Sequence, residues 1–252
     1  MRHLRQQQKD LSAVAAVDPR TRLLAAGLLL ALVISSRDSA FPWQVAGICL
    51  PVALIAGMQP RLLLLRMLHP LFIAAVILIL KTFLGHGGSV ALIQIGSFSL
   101  SGHLEGLHEG LLISSRIMGA MSVAVLLGQV MSFTETMAAL AWLRVPRGLV
   151  DVSMFAWRSL FMLYDDAGVV YTAQKNRLGY CGMRRSLKSF GAMAGMLIIR
   201  AFDSSQAMTV AMSQRGYDGH LPQLRGSRLG RAQLAGLSAF AILATVAWTL
   251  QN

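Results

Sequence analysis

The stretch GLLISSRIMGAMSVAVLLGQVM, residues Gly110–Met131, carries a single charge, Arg116. A helix of about 20 apolar residues can cross the hydrocarbon core of a bilayer, so this stretch predicts a transmembrane helix. Four further stretches have the same character: Arg22–Ser36, Phe41–Met58, Met67–Leu84 and Arg231–Leu250. The sequence therefore predicts an all-α integral membrane protein with about five transmembrane helices.

The overall composition agrees with this prediction. Of the 252 residues, 55% are hydrophobic and 13% are charged, whereas soluble proteins carry about 25% charged residues. The mean hydropathy is +0.57, so the chain has too few polar residues to cover a soluble surface. A formal net charge of +12 is typical of contact with anionic lipid and of basic cytoplasmic segments. We expect the lipid bilayer as a partner and no nucleic acid.

The sequence contains no signature of an enzyme. None of the four lysines lies in the phosphate-binding pattern G-x-x-x-x-G-K-[ST], and H-E-x-x-H and G-x-S-x-G do not occur. Cys49 and Cys181 lie far apart and match neither a disulfide framework nor a metal-binding motif. We expect a protein that is not an enzyme and has no cofactor.

The distribution of basic residues predicts the orientation in the membrane. The amino-terminal segment through Arg22 contains five basic residues, and Arg61 and Arg66 lie between the second and third spans. By contrast, Thr82–Ser115 contains neither Lys nor Arg. Since basic segments remain on the cytoplasmic side, we expect a cytoplasmic amino terminus and an outer loop from Gly85 to His108.

A long segment, residues 132–230, separates the fourth span from the fifth. Its apolar residues keep helical spacing over Leu149–Tyr171 and Leu187–Met212, but Arg158 and Arg200 interrupt these runs. An arginine at the bilayer centre costs about 2.5–3.5 kcal/mol on insertion scales, so we expect long cytoplasmic helices whose apolar faces bind partner proteins. The predicted domains are residues 1–131 (four spans), 132–230 (cytoplasmic helices) and 231–252 (a carboxyl-terminal transmembrane helix).

Two motifs in this segment resemble each other: AQKNRLGY at Ala173–Tyr180 and AMSQRGYDG at Ala211–Gly219. In both, an alanine lies four residues before an arginine, which places the two on one helix face. Gly179 and Gly216 follow within two residues, as expected where a helix ends with a left-handed residue. Arginine at such an end complements the helix dipole and can bind carboxylates or carbonyls of a partner. Helix capping alone would also explain either arginine.

This arrangement resembles the T components of energy-coupling-factor (ECF) transporters, which carry paired Ala-Arg-Gly signatures on cytoplasmic coupling helices. The likeness extends to LRVP at Leu143–Pro146 and to the helix Met154–Asp166, and it covers most of the chain from about Glu105. Within the family the chain is most similar to the cobalt type, CbiQ. The first motif departs from the family pattern, because NRL at residues 176–178 replaces Ala-Arg-Gly and Gly179 comes one position later.

The resemblance implies a T component that couples two cytosolic ATP-binding-cassette (ABC) ATPase subunits to a membrane S component, which binds the substrate. It implies a multi-pass protein of the bacterial cytoplasmic (inner) membrane with cobalt as the cargo, and nickel or a vitamin as alternatives. The residues that correspond to the ATPase-coupling signatures are Ala173, Arg177, Gly179, Ala211, Arg215 and Gly216.

Other interpretations of single residues stay open. His103, Glu105 and His108 could bind a divalent transition metal, or they could be ordinary polar residues of the outer loop. A self-sufficient secondary transporter would need a polar site inside the membrane, for which Arg116 is the candidate. A membrane-anchored protein whose basic segment binds anionic lipid or nucleic acid is a further possibility.

Overall fold

The computed structural model describes residues 18–84, 89–95, 98–217 and 230–251. Within these ranges the chain forms eight helices and one antiparallel hairpin. In chain order the elements are α1 (Pro19–Ser35), α2 (Ala40–Ile55), α3 (Pro60–Leu84), β1 (Ser89–Ile95), β2 (Phe98–His103), α4 (Leu104–Val130), α5 (Phe133–Trp142), α6 (Arg147–Asn176), α7 (Met183–Gln214) and α8 (Arg231–Gln251). The five predicted apolar stretches fall in α1, α2, α3, α4 and α8, and the helical membrane fold is confirmed.

Three of the described helices are long and apolar enough to cross a bilayer. Their candidate spans are Pro60–Phe83 in α3, Glu105–Val130 in α4 and Gln233–Gln251 in α8. Helices α1 and α2 have 17 and 16 residues, which gives lengths of about 26 and 24 Å at 1.5 Å per residue. These two helices are therefore slightly shorter than a hydrocarbon core of roughly 30 Å.

Two boundaries differ from the sequence-based expectation. Helix α3 begins at Pro60 rather than near Met67, because proline is favoured in the first helical turn, where amide hydrogens have no partner within the helix. Arg66 lowers the local hydropathy without ending the helix. The outer loop expected from Gly85 to His108 contains the hairpin, and α4 already begins at Leu104.

The described chain divides into two compact units. One unit comprises α1 to α4 with the hairpin, α5 as far as Ala139, and α8. The other begins at Leu140 and comprises α6 and α7. The functional division at residues 131 and 230 stays a prediction.

In the first unit, α4 is the central helix and packs against α1, α2 and α3. Small side chains allow close approach: a Cβ atom on Gly119 would lie 3.0 Å from the carbonyl oxygen of Pro42. The Ser114 hydroxyl donates to the carbonyl oxygen of Ala74 at 3.0 Å. Close packing of this kind through small residues is usual between membrane helices. The buried apolar core around it includes Val33, Phe41, Val45, Cys49 and Val123.

Two arginines connect α1 and α4, each donating to a carbonyl at the end of the other helix. The Arg116 guanidinium of α4 donates through Nε (3.1 Å) and through Nη2 to the carbonyl oxygen of Ser36, the C-cap of α1. In the other direction, Nη1 of Arg22 in α1 donates to the carbonyl oxygen of Val130 at the end of α4, at 2.8 Å. Carbonyls at a helix end have no partner within the helix, and leaving one unpaired in lipid is costly. Each arginine therefore completes the end of the opposite helix.

Helix α5 begins with a capping box. The Glu135 amide donates to the Ser132 hydroxyl at 3.3 Å, and the Glu135 carboxylate accepts from the Ser132 amide at 2.9 Å. The same carboxylate lies 3.8 Å from Nη1 of Arg22. One acidic side chain thus caps α5 and pairs with the arginine that caps α4.

In the second unit, α6 and α7 contact each other and are joined by an ion pair. Nε of Arg200 in α7 lies 2.7 Å from Oδ2 of Asp166 in α6. At the connection between the helices, the rings of Tyr171 and Tyr180 lie 4.9 Å apart. None of the residues of α7 is buried. The charges that interrupt the apolar runs in the sequence therefore include an ion pair between the two helices.

Candidate functional site

The first candidate site is the carboxyl end of α6, where Arg177 is the C-cap. The amide of Leu178 donates to the carbonyl of Lys175 at 3.1 Å, and the amide of Gly179 donates to the carbonyl of Gln174 at 2.9 Å. This pair of hydrogen bonds defines a Schellman motif, which requires a left-handed residue directly after the cap. That residue is Leu178, with φ +57°.

The carboxyl end of α7 has the same construction. Arg215 is the C-cap, Gly216 follows it with φ +74°, and two amides close the motif. The Gly216 amide donates to the carbonyl of Ser213 at 3.1 Å, and the Tyr217 amide donates to the carbonyl of Met212 at 3.1 Å. The last two residues of the quoted motif, Asp218 and Gly219, lie outside the described residues.

The two sites share one register. In each, the alanine lies four residues before the capping arginine, and the left-handed residue lies directly after it. The sequence-based role of the glycine is right for Gly216 and wrong for Gly179, because Leu178 takes the left-handed position. Gly179 has a different reason to be glycine: a Cβ atom there would lie 2.7 Å from the Ser189 hydroxyl and 2.9 Å from the Gln174 carbonyl oxygen.

Side chains around the first site hold its turn in place. The Ser189 hydroxyl of α7 donates to the carbonyl of Gly179 at 2.9 Å, and the Tyr180 hydroxyl donates to the side-chain oxygen of Gln174 at 3.0 Å. Sequence reasoning missed these supports, although Tyr180 lies within the quoted motif. The carboxyl end of α6 is thus fixed to the beginning of α7.

Both arginines and both alanines are exposed, so the same chemical surface is presented at two places. Ser189 contacts the first site, and Arg215 follows it by 26 residues along α7, which corresponds to about 39 Å at 1.5 Å per residue. The two sites are therefore far enough apart to be occupied by different partner surfaces.

The flanks of both helices expose large apolar side chains. Those exposed by more than half include Leu149, Val152, Leu160, Val169, Met183, Leu187, Phe190, Ile198, Ile199 and Phe202. Large apolar side chains exposed in such number usually mark a protein or membrane interface.

The described residues do not support the metal-binding interpretation of His103, Glu105 and His108. Glu105 and His108 are exposed on α4, and the side chain of His103 lies outside the described residues. The neighbouring Glu109 carboxylate accepts from Lys81 at 2.9 Å. The described residues contain no group of three or more His, Cys, Asp or Glu that could hold a metal ion.

The candidate residue for a self-sufficient transporter, Arg116, has a structural use. Its guanidinium donates twice to the carbonyl of Ser36, so its charge is directed at the end of α1. A backbone carbonyl as the observed partner favours a structural role for this arginine.

Comparison with known proteins gives a consistent result. The model of the CbiQ family, described as cobalt transport protein, matches residues 12–224. The chain is 31% identical over 215 residues to the putative fused cobalt transport protein CbiMQ of Methanocorpusculum labreanum, covering 82% of this chain and 34% of that protein. It is 27% identical over 150 residues to the cobalt transport protein CbiQ of Rhodobacter capsulatus, covering 60% and 62%.

A further similarity extends over most of both chains. The energy-coupling factor transporter transmembrane protein EcfT of Staphylococcus aureus is 27% identical over 222 residues, covering 83% of this chain and 81% of that protein. The matches to the two cobalt transport relatives, in contrast, span less than two thirds of their lengths.

Proposed function

The chain belongs to the CbiQ family of cobalt transport proteins, and we propose that it is the T component of an ECF-type importer. In this role it couples two ABC ATPase subunits to a substrate-binding membrane subunit, the S component. It hydrolyses no ATP itself, because that reaction belongs to the ATPase subunits.

The pair of equivalent helix ends carries this proposal. Arg177 and Arg215 occupy the same position in two Schellman motifs, each with its alanine one turn earlier. A guanidinium at an exposed helix end can donate several hydrogen bonds to carboxylates or carbonyls of a partner. Two such ends, about 39 Å apart along α7, suit two copies of one kind of partner better than a single contact surface.

The connection between the two ends supports a mechanical role. The Asp166–Arg200 ion pair lies between them: Arg200 follows Ser189 by 11 residues and precedes Arg215 by 15. These separations correspond to about 16 and 22 Å along α7. Because α7 joins the two docked ends, closing of the ATPase pair on ATP would move both ends and the connected helices α6 and α7 together.

The exposed apolar faces of α6 and α7 are the proposed contact with the S component. Burying apolar surface contributes about 25 cal/mol per Å², so side chains such as Phe190 and Phe202 can supply much of the binding free energy. Methionines near these faces, among them Met183 and Met196, suit an interface that repacks during a transport cycle because their side chains are flexible.

Cobalt is the proposed cargo, since the matching family and two of the relatives are named for cobalt transport. Nickel or a vitamin is the alternative, because selection would lie in the S component. We place the protein in the bacterial cytoplasmic membrane with its amino terminus inside, on the basis of the Arg and Lys distribution.

Co-purification with the transporter's ATPases tests the proposal. The chain is expressed with its ABC ATPase subunits and purified in detergent as the parent, as Arg177→Glu, as Arg215→Glu and as the double variant. Each single substitution should reduce the recovered ATPase, and the double variant should recover almost none. Arg184→Glu, an exposed arginine of α7 that caps no helix, is the matched control and should recover as much as the parent.

Cobalt accumulation by the same cells, with and without the S component, tests the transport role. Uptake should require all subunits and should fall with the ATPase recovery. Full ATPase recovery with the double variant would refute the docking role of the two arginines. If the parent retains the membrane S component but no ATPase, the T-component role is refuted.

A further inference from the structure

The two arginine-capped ends differ in the residue that follows the arginine. At the second end this residue is Gly216, which adopts φ +74° without hindrance; at the first it is Leu178, with φ +57°. Residues with a Cβ atom rarely adopt this left-handed conformation, because the Cβ approaches the backbone too closely. The first end therefore holds an unfavourable conformation that the second avoids.

Packing within the chain gives little in return for this conformation. The Leu178 side chain is 63% exposed, so most of its apolar surface faces solvent. If the turn shifted by one residue, Gly179 would take the left-handed position and Tyr180 would take the position that Gly179 now occupies. A Cβ atom at that position would clash with the Ser189 hydroxyl and the Gln174 carbonyl oxygen, so Gly179 has to stay there. The register is thus set by the Ser189 hydroxyl of α7 together with the Gln174 carbonyl of α6, and it leaves Leu178 exposed beside Arg177.

Strained residues that pack poorly in their own chain are concentrated at functional sites. Arginine is among the residues enriched in the energetically dominant contacts of protein interfaces, and Leu178 lies directly beside Arg177. Because the backbone of Leu178 is held by the Schellman hydrogen bonds, only its side-chain torsions remain to be fixed on binding.

We propose that Leu178 is an apolar anchor of the first docking site, which inserts into an apolar pocket of the ATPase beside the acceptors that bind Arg177. The second site lacks this anchor, since Gly216 has no side chain. The two sites are therefore inequivalent: the first binds its ATPase through a charge and an apolar contact, the second through the charge without that contact. This inference rests on the proposed ATPase-coupling function.

Single-site variants of the full chain separate the two ends. The Arg215→Glu background leaves the first site active, and Arg177→Glu leaves the second. The probe is the ATPase subunit that co-purifies with the parent chain, purified separately and titrated against the chain in detergent. Leu178→Ala keeps the unfavourable conformation and removes the anchor, whereas Leu178→Gly removes both.

In the Arg215→Glu background, both substitutions of Leu178 should weaken ATPase binding by roughly tenfold, the effect of losing the burial of one leucine side chain. In the Arg177→Glu background, neither should change the affinity. Leu178→Gly should unfold at or above the temperature of its background, because glycine suits the conformation; this measurement shows that lost binding does not come from a lost helix end.

Unchanged affinity of both Leu178 variants in the Arg215→Glu background would overturn the anchor while leaving the docking role of Arg177 intact. An equal loss in both backgrounds would also overturn it, because the effect would then not belong to the first site. If the double arginine variant binds the ATPase as tightly as the parent, the coupling function itself fails, and the anchor with it.

Discussion

Replacing Arg116 by methionine should destabilise the membrane unit without abolishing transport by the molecules that remain folded. The substitution keeps an unbranched side chain of similar reach but removes both hydrogen bonds to the carbonyl of Ser36. Ser36 is 1% exposed, so water cannot easily replace the lost donor.

The expected magnitude follows from these contacts. Hydrogen bonds from a charged donor contribute about 1.5–3 kcal/mol, and a buried carbonyl left unpaired costs about 1–3 kcal/mol. Removing the partly buried guanidinium also removes the cost of burying its charge, which offsets part of the loss. We expect the free energy of unfolding to fall by about 2 kcal/mol for Arg116→Met. Arg116→Lys should lower the free energy of unfolding by less, since the lysine ammonium group can still donate to the carbonyl of Ser36.

The assay is reversible unfolding of the full chain in mixed micelles with increasing SDS, followed by circular dichroism, together with cobalt uptake per folded molecule in reconstituted transporter. Arg158→Met, an exposed arginine of α6, is the control and should change stability by less than about 0.5 kcal/mol. If Arg116→Met unfolds like the parent, the capping argument is refuted. If it also loses uptake, Arg116 belongs to a transport site instead.

Two further perturbations test the packing. Gly119→Leu should lower the unfolding free energy by about 1–3 kcal/mol, because its Cβ would press on the Pro42 backbone. The control is Gly27→Ala, which has nothing within 4 Å of the added Cβ and should leave the SDS midpoint equal to that of the parent or higher. Equal midpoints for both variants would contradict the close contact at Gly119. Asp166→Asn should weaken the interaction of α6 with α7 by about 0.5 kcal/mol, a small value because Arg200 is 57% exposed. Amide hydrogen exchange in the second unit should become faster. Unchanged exchange would show that the ion pair does not stabilise the contact between the helices.

The membrane helices could be predicted from the sequence because each contains a long run of apolar residues, and such a run can be recognised from neighbouring residues alone. Their ends could not be placed as well. Arg66 reduces the hydropathy within α3, but its long side chain can reach away from the apolar surface while its backbone stays helical. The hairpin between α3 and α4 was missed for a related reason, since a short two-stranded unit has little periodicity to recognise.

The candidate site divides in the same way. Arg177 and Arg215 were found from the repeated local spacing, and the structure places both at helix C-caps. The conformation of Leu178 could not be predicted, because one of the two groups that exclude a side chain at position 179 is Ser189 of the next helix. The role of Arg116 was hidden for the same reason: its acceptor, Ser36, lies 80 residues earlier.

This distance has a consequence for biosynthesis. When Ser36 at the end of α1 is synthesised, Arg116, which donates to its carbonyl, lies 80 residues further along the chain. Synthesis of these 80 residues takes about 4–16 s at 5–20 residues per second. The end of α4 needs no such delay, because Arg22, which caps it, lies 108 residues upstream and is already present. Until α4 is made, the carboxyl end of α1 therefore needs another donor, such as water or a lipid headgroup, and the Arg116 contact can form only afterwards.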